Sequence, residues 1–592
     1  MKISRYFPST LKNILLLAVC LYVTLLSGSV SNGRFVFGVQ QRTVAPDGTV
    51  YLRAGSATSQ PVRAGSVPPA PTLAIDPALE AKIEELINRH PNDLAEWGIE
   101  VLSLDENQII YSHNSSIPMI PASNMKLFTT ATAMHYLGAD YRFKTAVYSH
   151  SNLDPDGTLR GNLVLRGGGD PFFSRNFLKN NASSFFDEIA AKLRAHGVHR
   201  IGGNIVGDDS LYPYQPPPTS AVAQQLRDEN SPGDRLGDQK LADSDSDDDT
   251  SVSALSFNDN LVAVRAIPVR NGAPVRVYTE PSTDYFRIIN RATATRARRS
   301  TFNVSKVPGK NTIVLTGRLP LRAGSHSRYI KVDDPAGFAA YLLKESLQHE
   351  GIDVAGMPVS HHGGGIPYRE MKEWARHESP PLLDAISIIN KRSVNSYAEL
   401  LLRLVGSEVR GRSTTEAGIS VVQDYVAQTG INPRDVAIYD GSGLSKSNLL
   451  SPHVEISLLR FVASQNYYPQ FVSSLSVASI DGTLRHRLSS DATAQRIFGK
   501  TGTLSNAVAL GGFLYTLQGK RLAFAIFCNN FASRAGSARH CVDEIMEVLS
   551  RHEYSRSSSA LASDSGRGNE GTVRSTATGA FHGLVGSSFA SH

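Results

Sequence analysis

The sequence predicts an α+β protein built from more than one folding unit, and three observations carry that reading. At 592 residues the chain exceeds a single ordinary domain, for which roughly 150 residues is a usual size. Its first folded stretch reads as a helix followed by strands, and its last third as helices followed by a strand pair. Between them, from about Tyr141 to Ala375, short alternating apolar runs replace long helical patterns.

The elements follow in order. Asn32 to Pro71 is rich in Gly, Ser, Pro and Val without periodicity, and 32–73 reads as a disordered tether, with folding expected to begin near Ala74. Leu79, Ile83, Leu86 and Ile87 recur at helical spacing. Trp97 to Leu102 and Gln108 to Ser112 then form a hairpin pattern around Asp105, Glu106 and Asn107. A further helix opens at Ser123, keeps Leu127, Ala131 and Met134 on one side and stops at Gly138. In the middle third, Leu163 to Leu165, Leu261 to Ile267, Tyr285 to Ile289 and Thr312 to Leu315 read as strands, and Gly167-Gly168-Gly169 as a tight turn. Asp243, Asp245, Asp247, Asp248 and Asp249 lie in an acidic, Ser-spaced surface insertion at about 228–250. It lacks the central glycine and terminal glutamate of a calcium loop. From Pro380 helices return, followed by a strand pair, Ala507 to Tyr515 and Leu522 to Asn529, and a closing helix, Ala538 to Leu549. The tail at 554–592 is Ser-, Gly-, Ala- and Thr-rich and reads as disordered.

Composition narrows the classes. With 41% apolar and 19% charged residues, the chain is neither collagen-like nor polytopic. Residues 1–31 read as an export signal: Lys2, Arg5 and Lys12 precede an apolar run from Ile14 to Leu26, then small residues follow from Ser27 to Ser31. That run is shorter than the roughly 20 residues a membrane span needs. Removing the signal leaves only Cys528 and Cys541, which permits one disulfide or two buried thiols but no four-cysteine zinc site. No metal or cofactor is expected. A net charge of +6 is too small to imply nucleic acid. One run, Arg287, Arg291, Arg296, Arg298 and Arg299, fits either an anionic polymer or membrane surface, or a solvated face. Oligomeric state is not legible.

The chemistry concentrates in three short motifs. Ser123-Asn124-Met125-Lys126 opens a helix, on which residues three apart share a face, so a hydroxyl and an amine can meet. A serine is a weak nucleophile without a base beside it, and a lysine serves as that base only when burial or neighbouring positive charge lowers its pKa. Ser393-Val394-Asn395 lies roughly 270 residues on, ahead of the helical run Tyr397, Leu400, Leu401 and Leu404. Lys500-Thr501-Gly502-Thr503 lies about 107 residues beyond that. Each motif alone is an ordinary surface pair, helix cap or basic strand start. In this order they match the Ser-x-x-Lys, Ser-x-Asn and Lys-Thr-Gly set of penicillin-binding proteins and serine β-lactamases. Lys500 and Thr501 are candidates for holding a substrate carboxylate, and Gly502 for leaving an edge strand open to a substrate backbone. The amides of Ser123 and Thr503 are candidates for the oxyanion hole. Ser393 is placed to relay a proton and Asn395 to orient Lys126 and the substrate amide.

The resemblance is closest to the class C, low-molecular-mass penicillin-binding proteins, the D-alanyl-D-alanine carboxypeptidase/endopeptidase family. It rests on the three motifs and on Ile120 to Ser123, Gly168 to Pro171, Gly203 to Asp208, Ser379 to Leu382, Tyr439 to Ser445, Asp481 to Leu484 and Lys500 to Ser505. The resemblance implies a β-lactamase/DD-peptidase-like catalytic domain, an antiparallel sheet flanked by helices, split into 74–140 and 376–553, with β-rich subdomains at 141–375 inserted between the first two motifs. It also implies peptidoglycan stem peptides as substrate, β-lactam antibiotics as covalent inhibitors, and a place in the periplasm or cell envelope. The family's Trp-containing element after the Gly-Asp-Asp region has no counterpart here: Trp97 and Trp374 are the only tryptophans. Whether an endopeptidase activity accompanies the carboxypeptidase therefore stays open. A serine β-lactamase and a non-catalytic wall-peptide-binding protein are the alternatives.

Overall fold

The computed structural model describes residues 69–89, 95–174, 184–212, 252–531 and 535–554, with Phe177 and two short paired strands, Gln41–Val44 and Val50–Arg53. The proposed signal, the acidic insertion and the tail beyond Tyr554 lie outside these residues. None of the described helices is long and apolar enough to cross a membrane.

Strands that are apolar on both faces belong in the middle of a sheet covered on two sides, and Ala507–Tyr515 and Arg521–Asn529 are buried along almost their whole length. They sit within a seven-stranded sheet. Its order is Ser476–Val477, Ile497–Leu504, Ala507–Tyr515, Arg521–Asn529, Glu96–Ser103, Gln108–His113 and Thr72–Leu73. Every neighbouring pair is antiparallel except the last. The pairing of Arg521–Asn529 with Glu96–Ser103, Ile526 opposite Ile99, joins the two ends of the folded chain.

Because side chains alternate along a strand, the sheet serves two cores. Leu510, Leu514, Phe524 and Ile526 face the helices Pro77–Arg89 and Ala535–Arg551. Ala509, Phe513, Ala525 and Phe527 face a helical layer that contains Met125–Leu137, Leu382–Arg392, Asn395–Arg410, Thr415–Gln428 and Pro452–Ala463. Each fully buried Leu, Ile or Phe side chain contributes on the order of 1.5–3 kcal/mol, so both layers are needed to hold the central strands flat between them.

Residues 144–378 build a separate core around a five-stranded sheet. Its order is Pro358–His361, Ile205–Asp208, Leu163–Arg166, Lys144–Ser149 and Lys372–Glu378, and the first three run parallel. Parallel neighbours require crossover connections, and two helices, Ser184–Ala195 and Pro335–His349, pack in this core. The β-rich reading of this region missed them. Pro335–His349 is buried around most of its circumference, so it shows no clean amphipathic stripe. A smaller lobe follows, built on Leu261–Ile267 between Arg276–Glu280 and His326–Lys331. The strand expected at Tyr285 to Ile289 starts later, at Arg287–Asn290.

The segment read as a tether is also more structured than expected. Besides the Gln41–Val44 and Val50–Arg53 pair, its end forms the sheet strand Thr72–Leu73. Asn107 and Arg460 side chains both donate to the Pro69 carbonyl, at 3.0 and 2.5 Å, so ordered contacts begin before Ala74. Cys528 and Cys541 are free and fully buried, and burial pushes each thiol up to about 12. Thiolate is the reactive form, so neither residue in the native protein should be alkylated by iodoacetamide at neutral pH, whereas both should react in denaturant. Peptide mass spectrometry reads the difference, and a joined pair lighter by two hydrogen atoms would identify a bridge instead.

Candidate active site

The helix bearing the first motif starts under constraint. Ala122 adopts a left-handed φ of 46°, and a 3-10 turn, Ala122–Asn124, feeds the helix Met125–Leu137. That geometry turns Ser123 and Lys126 to one side, with Lys126 Nζ 3.0 Å from Ser123 Oγ. Lys126 is completely buried, and a buried ammonium must satisfy its three donors. The other two go to Asn395 Oδ1 and the Ser442 carbonyl, each at 2.6 Å.

The second motif is the junction between two helices. Leu382–Arg392 ends at Ser393 in the left-handed region, Val394 is extended and buried, and Asn395 begins the next helix. This abrupt turn splits residues two apart between two lysines. Asn395 meets Lys126, while Ser393 Oγ accepts from Lys500 Nζ at 2.8 Å. Val394 is held in the core by Ile389, Tyr397 and their neighbours, so its apolar character anchors the turn.

The third motif lies on the strand Ile497–Leu504. Lys500 is also fully buried, with its ammonium on Ser393 Oγ and the Thr501 carbonyl. Burial, and then the charge of Lys126, drive its pKa well below the ordinary lysine value, while Glu455 opposes the shift. Glu455 sits beneath the strand: a Cβ on Gly511, the residue opposite Lys500, would lie 1.5 Å from Glu455 Oε1. Asn124 Nδ2 donates to both carboxyl oxygens, at 2.9 and 3.2 Å. Burial raises Glu455 to about 8, against the lowering effects of Asn124 and Lys500.

Gly502 has a different reason to be glycine from the one expected. A Cβ there would stand 2.7 Å from the Pro121 carbonyl and 3.1 Å from the Ser123 amide nitrogen. The missing side chain therefore lets the strand approach the nucleophile's own backbone. The edge of this strand is partly open: Ser476–Val477 pairs only with Phe498 and Gly499, which leaves Lys500 to Leu504 without a strand on that side among the described residues. Thr501 Oγ1 donates to Thr483 Oγ1 at 2.8 Å, and Thr503 is exposed.

Several groups were not singled out by sequence as site members. The Ser442 carbonyl is aimed by Glu399, whose Oε1 accepts from the amides of Gly441 and Ser442 at 3.0 and 2.9 Å. Burial and then the charge of Asp440 raise Glu399 to about 7. Asp440 in turn ties the loop through the amides of Gly443 and Ser445, both at 2.6 Å. Gly443 has a φ of +81°, and a Cβ there would meet the Ala122 carbonyl at 1.8 Å. Glu455 carried one sequence signal, a lone acid among Val454, Ile456, Leu458 and Leu459. Hydrogen bonds join Ser123, Lys126 and Asn395, and separately Ser393 and Lys500, while Gly502 stands against the Pro121–Ser123 turn; Thr501 and Thr503 follow on the same strand.

This fold and this cleft define an active-site-serine hydrolase of the penicillin-recognising class. A crystal structure of penicillin-binding protein 4 (dacB) from Haemophilus influenzae superposes with a TM-score of 0.61 at 24% identity, covering 79% of this chain and 98% of that one. The D-Ala-D-Ala carboxypeptidase 3 (S13) family matches residues 79–551. A D-alanyl-D-alanine carboxypeptidase of Actinomadura sp. is 30% identical over 474 residues, 78% of this chain and 80% of that protein. D-alanyl-D-alanine carboxypeptidase DacB of Haemophilus influenzae is 26% identical over 442 residues, 74% and 86% of the two chains. The chain belongs to the S13 family and is a serine-type D-Ala-D-Ala carboxypeptidase.

Two outcomes follow from the packing of this site. Gly502→Ala should slow acylation by a chromogenic β-lactam about 10²-fold, the scale of losing one oxyanion donor, as read by stopped-flow absorbance. Glu455 has a folded pKa of about 8 against an ordinary 4.5. Its stabilising contribution is complete below pH 4.5 and is lost as the pH rises through about 8. Glu455→Gln removes that dependence, so the melting temperature of the variant relative to wild type should rise by several degrees between pH 5 and pH 8; calorimetry at both pH values checks the sign.

Proposed function

We propose that Ser123 attacks the carbonyl carbon of the D-Ala-D-Ala bond in a peptidoglycan stem peptide. Lys126, as the free amine, takes the hydroxyl proton over the 3.0 Å contact. The amides of Ser123 and Thr503 receive the developing oxyanion, a role supported by the tight approach at Gly502. The substrate backbone lies along the open edge at Lys500 to Leu504 as an added strand. Its terminal carboxylate is held by Lys500 and the Thr501 hydroxyl. The proton taken by Lys126 is relayed through the Ser393 hydroxyl, which is bonded to Lys500, to the departing amine, so Ser393 ends protonated and Lys126 is again the free amine, while Asn395 orients Lys126. Water then hydrolyses the acyl-enzyme. A β-lactam ring opens at the same serine, but its leaving group stays attached, so the acyl-enzyme persists.

The observation that carries this reading is the placement of two fully buried lysines, one on Ser123 and the other on Ser393, facing one cleft. A non-catalytic binding protein has no use for a buried amine on a serine hydroxyl. The assignment of 74–140 and 376–553 as catalytic and 141–375 as inserted is supported by the shared seven-stranded sheet and the separate core of the middle region. Export to the cell envelope is supported by the charge and apolar pattern of residues 1–31. Trp97 and Trp374 are both in packed cores, so neither supplies a side-chain recognition element for cross-linked substrates.

Fluorescent penicillin should label the wild type and leave Ser123→Ala unlabelled, and D-alanine release from a diacyl-D-Ala-D-Ala peptide should fall by about 10⁴-fold or more. Persistent labelling of the variant would remove Ser123 as nucleophile. Products from purified monomeric and cross-linked muropeptides separate carboxypeptidase from endopeptidase action, and rapid nitrocefin turnover would favour a β-lactamase.

A further inference from the structure

The small lobe next to the five-stranded sheet concentrates charge far beyond the whole chain. Between Arg265 and Lys331 there are fourteen Lys and Arg, eleven of them arginine, against two acids, Glu280 and Asp284, although the entire protein has a surplus of only six. The positive charge is therefore segregated into one lobe. Backbone contacts draw several of its connections together. Asn271 Oδ1 accepts from the Arg296 amide at 2.9 Å, and Ala294 exchanges backbone bonds with Gly272 and Ala273 at 2.8 Å. Arg322 donates to the Arg298 carbonyl at 2.8 Å, and the Thr301 amide to the Arg318 carbonyl at 3.1 Å. Arg270, Arg296, Arg298, Arg299, Arg318 and Arg322 lie on these connections. All six are exposed, and none forms an ion pair among the described residues.

Clustered cations without counter-charges destabilise a fold by mutual repulsion, and of the six only Arg322 commits its side chain to a structural bond among the described residues, to the Arg298 carbonyl. Arginine forks bind carboxylate and phosphate in bidentate fashion and hold up against competing salt better than a point charge. We propose that this face is a docking surface for an anionic polymer, and that the polymer is the carboxylate-bearing peptidoglycan itself. The lobe would hold the enzyme on the material whose peptides it trims. Among the described residues of this lobe the exposed large apolar side chains are Val269, Tyr278 and Tyr329, and two of the three are tyrosines with a polar hydroxyl, so the face offers a lipid surface little to insert. The choice of polymer rests on the substrate reading above, and the two fail separately, because docking needs no catalysis.

The test is co-sedimentation of full-length Ser123→Ala protein with isolated peptidoglycan sacculi, which this variant leaves undigested. Binding should weaken about tenfold or more between ~50 and ~300 mM salt. Replacing all six arginines with glutamine should weaken it by at least about tenfold at low salt, and replacing them with lysine should restore much of it. In the catalytically intact background the same glutamine variant should hydrolyse a small diacyl-D-Ala-D-Ala peptide at the wild-type rate, which also reports folding. If the sixfold variant does not fold, Arg298→Gln with Arg299→Gln alone should still cut binding severalfold. Undiminished binding by a folded glutamine variant overturns the proposal. So does binding to phosphatidylglycerol vesicles with none to sacculi.

Discussion

Two lysines with no solvent exposure, brought to one cleft, are the constraint around which the rest of this structure is arranged. Isolated burial of even one ammonium costs several kcal/mol or forces the group to give up its proton. The surroundings of Lys126 and Lys500 are the response to that cost. Every donor of Lys126 has an oxygen acceptor, from Ser123, Asn395 and Ser442. Lys500 has Ser393 and the Thr501 carbonyl, with Glu455 behind it. Burial and the charge of Lys126 both push Lys500 well below the ordinary lysine range, so the pair resists carrying two full charges at once.

That arrangement explains why the site is assembled from remote segments. The acceptors cannot all come from one helix, so they are delivered by a helix junction, an edge strand and a loop. The deliveries use left-handed backbone at Ala122, Ser393 and Gly443, and at Gly443 and Gly502 the missing side chain leaves room where a Cβ would strike the Pro121–Ser123 turn. These positions are costly for ordinary folding and persist because the two cores on either side of the seven-stranded sheet hold them.

Much of the site was legible because its chemistry is written in adjacent residues. Serine and lysine three apart, or serine and asparagine two apart, identify themselves. The strand pair near the end was also readable, as two continuous apolar runs of strand length either side of a Gln518-Gly519 turn. What escaped was whatever depends on contacts across the chain. Glu455 is the single acid of its helix and Glu399 one of two in its own, and their importance appears only when Asn124 and the Gly441–Ser442 amides are brought to them. Gly502 gained a second reason for the same cause: sequence shows a small residue but not which neighbour would occupy the space. Pro335–His349 was hidden because burial on most sides erases the periodic signal, whereas Ser184–Ala195 does carry one, Phe185, Phe186, Ile189, Ala190 and Leu193 at helical spacing, which the β-rich reading passed over.

The short strand Ser476–Val477 ends after covering two residues of its neighbour. A longer cover would close the site, while no cover at all would present eight residues of bare ladder, a template on which identical molecules stack into aggregates. Stopping where it does limits the bare stretch to about one short peptide, bordered by a buried cation and a threonine turn. The same truncation that admits a guest thus protects the protein from pairing with itself, and colloidal behaviour and substrate length are set by a single boundary in the chain.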